Sequence, residues 1–216
     1  MIYRNNKRRF LVPVLMLALV LFGNLPFTSS ASAPPAVPFL PPPGAVVAWG
    51  SNASGQLNVP AGLDDAVAVA AGEEHGLALK SDGTVVGWGS NTFGEATPPA
   101  GLTTVVAIAA GDGFSLALKS NGTVVGWGFA GLATPPAALT GVTAIAAGDQ
   151  HSLALKSDGT VVGWGSNFSG EAAPPAGLSG VTAIAAGHSF SLALRSDGTV
   201  VGWGQDIEGE ATPPPG

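Results

Sequence analysis

The side chains of this 216-residue chain that could bind a metal are its three histidines and their acidic neighbours. Glu74-His75 and Asp149-x-His151 could each begin a metal site. No second histidine lies at ligand spacing from either pair, and the chain has no cysteine to complete a zinc site. We therefore expect no metal and no other cofactor.

Three serines, Ser115, Ser152 and Ser191, could act as nucleophiles beside the histidines. Each recurs at the same position of a repeated pattern, as a packing residue does. No glycine-rich loop stands between a strand and a helix, where a phosphate would bind. The sequence therefore predicts no catalytic residues and a protein that is not an enzyme.

The elements that position these residues are repeats. All five tryptophans precede a glycine, at positions 49, 88, 127, 164 and 203, with spacings of 39, 39, 37 and 39 residues. In the unit that begins at Val142, residues 142–147, 152–156 and 160–164 predict three short strands, here named A, B and C. Asp158-Gly159 predicts a two-residue type I′ turn between B and C.

Short strands, tight hairpins and no helical period predict an all-β fold. A β-solenoid would lack the antiparallel hairpins that the Asp-Gly and Asn-Gly turns indicate, so a β-propeller-like array is favoured. Each blade is a unit of about 39 residues with three to four antiparallel strands. Five Trp-Gly strands but only four complete hairpins predict an incomplete array of four to five blades in an open arc.

The runs AAGDQHSLALKSDGTVVGWGSN and AAGEEHGLALKSDGTVVGWGSN resemble the regulator of chromosome condensation (RCC1) repeat, whose members form seven-bladed propellers. The short unit, the GEATPPAGL connector and the N-terminal pattern look more like one branch, the secreted propeller-type β-lactamase inhibitory protein and its bacterial relatives. The chain departs from both in its blade count. The connector after Trp127, which begins Phe129-Ala130-Gly131-Leu132, is also two residues short.

The N-terminus predicts export. Basic residues between Arg4 and Arg9, an apolar run from Phe10 to Phe22 and small residues at 28–33 are typical of a signal peptide. We expect residues 1–33 to be removed, residues 34–44 to form a Pro-rich linker and residues 45–216 to form the repeat domain. The alternative is an uncleaved anchor, although the apolar run is short for a membrane span.

Cleavage would leave four basic and fourteen acidic residues, a net charge of −10, on the mature chain. So acidic a chain is a poor ligand for nucleic acid. We expect a secreted or envelope location, no membrane attachment after cleavage, and a protein partner. The open ends of the array also predict self-association, or a place in a longer array.

Strand order places the A–B loops and the exits from strand C at one end of the blades, here named the loop end; the B–C turns lie at the other, the turn end. The loop end collects the histidines, most acids and the repeat-region phenylalanines, in positions that vary between units. Aromatic residues beside acids are typical of a protein-binding patch. The candidate binding residues are Glu73, Glu74, Phe93, Asp112, Phe114, Phe129, Asp149, Gln150, Phe168, His188 and Phe190.

An interior position is the alternative for the four residues that enter strand B, namely His75, Phe114, His151 and Phe190. The five tryptophans are expected to pack between blades. Three functions follow from the pattern and the resemblance. The favoured one is a secreted or envelope-associated protein-binding module. The alternatives are an inhibitor of a secreted enzyme such as a β-lactamase, and an exchange-factor-like regulator, which conflicts with export and acidity.

Overall fold

The structure is a computed structural model that describes residues 44–214. The expected signal peptide, residues 1–33, and all of the linker except Gly44 lie outside the described residues. Within residues 44–214, no helix is long and apolar enough to cross a membrane.

Four three-stranded antiparallel sheets, here named blades 1 to 4, confirm the all-β, propeller-like prediction, with three strands in each. Blade 1 contains β1 (Ala66–Ala71), β2 (His75–Lys80) and β3 (Val85–Gly89); blade 2 contains β4 (Val105–Ala110), β5 (Phe114–Lys119) and β6 (Val124–Gly128); blade 3 contains β7 (Val142–Ala147), β8 (His151–Lys156) and β9 (Val161–Gly165); blade 4 contains β10 (Val181–Ala186), β11 (Phe190–Arg195) and β12 (Val200–Gly204). One helical turn that the pattern did not predict, α1 (Ala130–Ala133), follows blade 2.

The B–C hairpins are closed by a different turn from the predicted one. Of the two central residues, Gly159 has a positive φ of 76° and Asp158 does not, whereas a type I′ turn needs both. The Asp158 carboxylate instead accepts hydrogen bonds from the backbone N–H and the hydroxyl of Thr160, at 3.0 and 2.6 Å. The geometry is that of a three-residue loop ending in a left-handed glycine.

Each blade has two unlike faces because successive side chains of a strand point in opposite directions. The forward face, directed at the following blade, carries the leucines of strand B, such as Leu77 and Leu79. The rear face carries the alanine of strand B and the tryptophan of strand C, such as Ala117 and Trp127. Forward and rear faces of consecutive blades meet in one apolar cluster, so the core of the array lies between its blades.

The segment before blade 1 differs from its expected form. Residues 45–49 match the sequence of a C strand but belong to no sheet, because no hairpin precedes them within the described residues; a single bridge joins Gly44 to Ala66. Val46, Val59 and Leu63 cover the rear face of blade 1. Trp49 is 47% exposed, so the expectation that every tryptophan packs between blades is wrong for this one.

The forward face of blade 4 is uncovered within the described residues. Leu194 and Val200 are 40% and 42% exposed, whereas the leucine equivalent to Leu194 in blade 3, Leu155, is 5% exposed. An apolar surface therefore lies at each end of the array, as the incomplete blade count predicts.

Candidate functional site

The connectors, which join strand C of one blade to strand A of the next, are organised by buried glutamates. Ser90 donates its hydroxyl hydrogen to one carboxylate oxygen of Glu95, and the backbone N–H of Phe93 donates to the other, both at 2.7 Å. Burial acts to raise the pKa of Glu95, but these hydrogen bonds outweigh it and lower the pKa. Glu171 has the same role in its own connector. Sequence reasoning missed both glutamates, although their recurrence in Gly-Glu-Ala was a signal.

A hydrogen-bonded chain crosses the boundary between blades 1 and 2. The imidazole Nε2 of His75 lies 2.8 Å from Oγ of Ser115, and Ser115 donates to the backbone carbonyl of Glu95, also at 2.8 Å. The indole of Trp127 donates to the same carbonyl at 2.8 Å. The arrangement repeats between blades 3 and 4 through His151, Ser191, Glu171 and Trp203.

These contacts give structural roles to two histidines and two serines, His75, His151, Ser115 and Ser191. His75 and His151 are buried, and burial lowers both pKa values, that of His75 to about 4. His75 is therefore separated from the exposed side chain of Glu74, with which it could have formed a metal pair. Within residues 44–214, no three His, Cys, Asp or Glu side chains come together as a metal site would require.

The boundary between blades 2 and 3 lacks this hydrogen-bonded chain. Phe114 stands where blades 1 and 3 have histidine, and α1 replaces the glutamate-bearing loop. The Oγ of Ser152 and the Nε1 of Trp164 have no hydrogen-bond partner among residues 44–214. An apolar cluster that includes Phe114, Ala133 and Trp164 fills the boundary instead.

Two predicted binding residues are therefore corrected. Phe114 is fully buried and cannot contact a partner, because it lies on the forward face of blade 2 beneath blade 3. Phe190 has the equivalent position in blade 4 and is only partly buried because no blade covers it in the described chain. It belongs to the open forward face rather than to the loop surface.

An exposed apolar rim lies on the connector loops at the loop end. Phe93 and Phe129 pack edge to face, with ring centroids 5.3 Å apart and an interplanar angle of 71°. Both rings are about half exposed, and Phe168 is 97% exposed. Ile207, which the sequence analysis missed, is 80% exposed at the position equivalent to Phe168. These four side chains are here named the apolar rim.

A row of polar side chains runs beside the rim along the first residues of the A–B loops, from Glu73 through Asp112 and Asp149 to His188. The backbone N–H of Asp112 donates to the carbonyl of Asp149 at 2.8 Å, and His188 Nδ1 contacts the Asp149 carboxylate. Burial, and then the neighbouring Asp112 and Asp149, raise the pKa of Glu73. Glu74 and Gln150, the next loop residues, are exposed.

The turn end has the opposite character. Lys80 pairs with Asp65 at 3.0 Å and Lys156 pairs with Asp158 at 3.0 Å, in partly exposed positions where solvent screens an ion pair and its contribution to stability is small. Hydrogen bonds from Thr160, and then Lys156, lower the pKa of Asp158 to about 2. In blade 4, Arg195 pairs with Asp197 at 3.3 Å, so each lysine or arginine of blades 1, 3 and 4 has a local anion, whereas Glu73 at the loop end lies near two other carboxylates.

The fold and its repeated connectors define a propeller-type repeat protein. Four segments match the family described as the regulator of chromosome condensation (RCC1) repeat, at residues 66–95, 105–129, 142–171 and 181–210. These segments make up more than half of the chain, which therefore belongs to the RCC1 repeat family. A comparison with curated protein sequences gives no match.

Solved structures of the same fold include Prp20p of Saccharomyces cerevisiae, 25% identical over 68% of this chain and 46% of Prp20p, with a TM-score of 0.60. The ectodomain of the receptor kinase CR4 of Physcomitrella patens is 26% identical over 78% of this chain and 49% of its own, with a TM-score of 0.63. The ectodomain of ACR4 of Arabidopsis thaliana is 25% identical over 65% and 51%, with a TM-score of 0.52. The chain thus spans about half the length of these structures.

Proposed function

We propose that the chain is a non-catalytic protein-binding module that engages its partner through the loop end. The apolar rim carries the proposal: three phenylalanines and an isoleucine are exposed on the connector loops, and buried glutamates fix the backbone of the two loops that hold Phe93 and Phe168. Aromatic side chains on a rigid support are the usual anchors of protein interfaces. The row of polar side chains beside them, three of whose four members are acidic, favours a partner with basic residues around an apolar patch.

We further propose that the module works outside the cytoplasm, in a secreted or envelope-associated form. The signal-peptide pattern of residues 1–33 supports this location. The likeness to two receptor-kinase ectodomains is consistent with it. N-terminal sequencing of protein recovered from its producing cells is expected to begin near Ser32 or Pro34. Recovery of soluble protein that still begins at Met1 would contradict export.

Two other functions are less well supported. Inhibition of a secreted enzyme such as a β-lactamase rests only on the resemblance of the connector and unit length to one branch of the family. The structure of Prp20p is described with its binding to Gsp1p and histones, but an exchange-factor-like role for this chain conflicts with the proposed export. The acidity of the chain disfavours nucleic acid as a ligand. A second copy of the chain is a further proposed partner, because none of residues 44–214 covers the forward face of blade 4.

The test is to capture partners from culture fluid and envelope fractions on the purified chain and to compare two double variants. Phe93→Ala with Phe168→Ala is expected to weaken binding of the captured protein by about 2 kcal/mol or more, as the loss of aromatic anchors does. The melting temperature should change little because both rings lie on loops. Lys80→Ala with Lys156→Ala, at the turn end, is the matched control. If binding is lost in the lysine variant and kept in the phenylalanine variant, the interface lies at the turn end and the proposal is wrong.

A further inference from the structure

Three of the five tryptophans make one recurring contact. The indoles of Trp88, Trp127 and Trp203 each donate a 2.8 Å hydrogen bond to a backbone carbonyl of the preceding connector, at Gln56, Glu95 and Glu171 respectively. All three rings are buried. The contact joins the rear face of a blade to the loop that precedes that blade.

Trp49 lies in a sequence like those of the three hydrogen-bonded tryptophans, but no blade precedes it within the described residues. Residues 45–49 match the C strands, and the alternation of side chains assigns Val47 and Trp49 to the rear side, away from blade 1. Val47 is 62% exposed, whereas Val46, on the other side, packs on blade 1. An indole N–H and two apolar side chains thus lie at one end of the array in the arrangement of a rear face.

The other end of the array offers the matching half. The forward face of blade 4 exposes Leu194 and Val200, whose equivalents in blades 1 to 3 are covered by the next blade. The connector that follows is already folded: Ala211 N–H donates to the side chain of Asp206 at 2.9 Å, as Ala96 N–H does to Asn91 in the first connector. The backbone carbonyl of Glu210 therefore stands where the Glu95 carbonyl accepts Trp127.

We propose that two copies of the chain associate head to tail, with Val47 and Trp49 of one copy packed on the forward face of blade 4 of the other. The Trp49 indole donates to the Glu210 carbonyl, which reproduces the contact made three times inside each copy. A second copy is the occupant that fits, because one contact covers the exposed apolar surfaces at both ends. A heterologous contact of this kind produces a closed ring or an open chain of copies.

Mixing experiments test this arrangement directly. Wild-type chain is expected to show a concentration-dependent mass by sedimentation velocity and light scattering. Val47 and Trp49 form the head of a copy, and the forward face of its blade 4 forms the tail. Trp49→Ala disrupts the head and Leu194→Asp disrupts the tail, so each variant alone should stay monomeric. An equimolar mixture should form a 1:1 dimer and stop there, because only one intact head and one intact tail remain. A symmetric contact between two blade 4 faces could not be restored by this mixture.

Controls separate this inference from folding and from the proposed function. Circular dichroism should give both variants the wild-type fold, since both side chains are partly exposed; Val200→Asp provides a second tail variant. Phe168→Ala, at the loop end, should leave self-association unchanged. A wild-type chain that remains monomeric at high concentration would overturn the proposal, as would a mixture of head and tail variants that stays monomeric while the wild type associates.

Discussion

Nε2 of His75 and Oγ of Ser115 lie 2.8 Å apart across the boundary between blades 1 and 2, forty positions apart in the sequence. Ser115 has one hydroxyl hydrogen and donates it to the carbonyl of Glu95, so His75 must carry its proton on Nε2 and donate to Ser115. Its Nδ1 then lacks a partner among residues 44–214. A second proton there would create a buried, unpaired charge, which explains the lowered pKa.

Acid is therefore expected to destabilise the array through His75. The unfolded chain binds the second imidazole proton with a pKa near 6.5, whereas the pKa in the folded chain is about 4. Between these values the unfolded state holds more protons, so stability falls as the pH falls. The full contribution of His75 is about 3 kcal/mol, lost progressively from pH 6.5 to pH 4. Urea unfolding at a series of pH values measures it.

His75→Phe is the matched control because blades 2 and 4 already have phenylalanine at this position. The variant should lose less stability than the wild type between pH 7 and pH 4, since it has one buried imidazole fewer. Parallel curves for the two proteins would show that His75 does not cause the acid sensitivity.

Two buried tryptophans are expected to respond differently to the same substitution. Trp127 donates to the Glu95 carbonyl, whereas the indole N–H of Trp164 has no partner in the described part of the chain. Trp127→Phe removes a hydrogen bond as well as volume, and Trp164→Phe removes volume and an unsatisfied donor. We expect Trp127→Phe to be the more destabilising by about 1 kcal/mol, measured by chemical unfolding. Equal losses would contradict the difference between the two blade boundaries.

Much of the fold could be predicted from the sequence because the tryptophan spacing and the Gly-containing turns recur at nearly fixed distances. Whether an individual aromatic side chain is buried or exposed could not be predicted in the same way. Phe93 and Phe114 both belong to the loop end, but Phe114 begins a strand, and its forward direction places it beneath blade 3. Residues 46–52, around Trp49, differ from residues 85–91, around Trp88, only in having alanine in place of the glycine before the tryptophan. The exposure of Trp49 depends on a hairpin that does not precede it in the described chain.

The position of the candidate site's loops followed from the sequence for a similar reason, while their role in binding stays a prediction. Loop positions followed from strand order, and the exposed Phe93, Phe129 and Phe168 lie on those loops. Glu95 was missed because its charge suggests a solvent-exposed residue, whereas its carboxylate is buried by bonding to its own loop. The turn type was wrong because Asp158 is stabilised by Thr160 without a left-handed conformation.

A glycine at the end of each A strand is expected to tolerate no side chain. A Cβ on Gly148 would lie 2.3 Å from the carbonyl oxygen of Gly187 in blade 4 and 2.4 Å from the His151 ring. The carbonyl can move only if blades 3 and 4 separate, so Gly148→Ala should cost at least about 2 kcal/mol. Thermal and urea unfolding measure the loss.

Gly94→Ala is the control, because Gly94 has a φ of 87° but open space around its Cα. Its cost should be limited to backbone strain, about 1 kcal/mol. If Gly94→Ala proved the more destabilising of the two, backbone conformation rather than contact between blades would be the constraint.

The last prediction links the buried glutamate to the apolar rim. Glu95→Ala removes the acceptor for Ser90 and for the Phe93 N–H, so it should cost about 2 kcal/mol and release the loop that holds Phe93 against Phe129. NMR contacts between the two rings should weaken, and partner binding should fall, as is expected for the double variant Phe93→Ala with Phe168→Ala. Glu95→Gln should preserve most of both properties, because the amide oxygen of Gln56 accepts a backbone N–H in the equivalent loop, at 2.9 Å. An alanine variant that keeps the ring contacts and full binding would show that Glu95 does not position the rim.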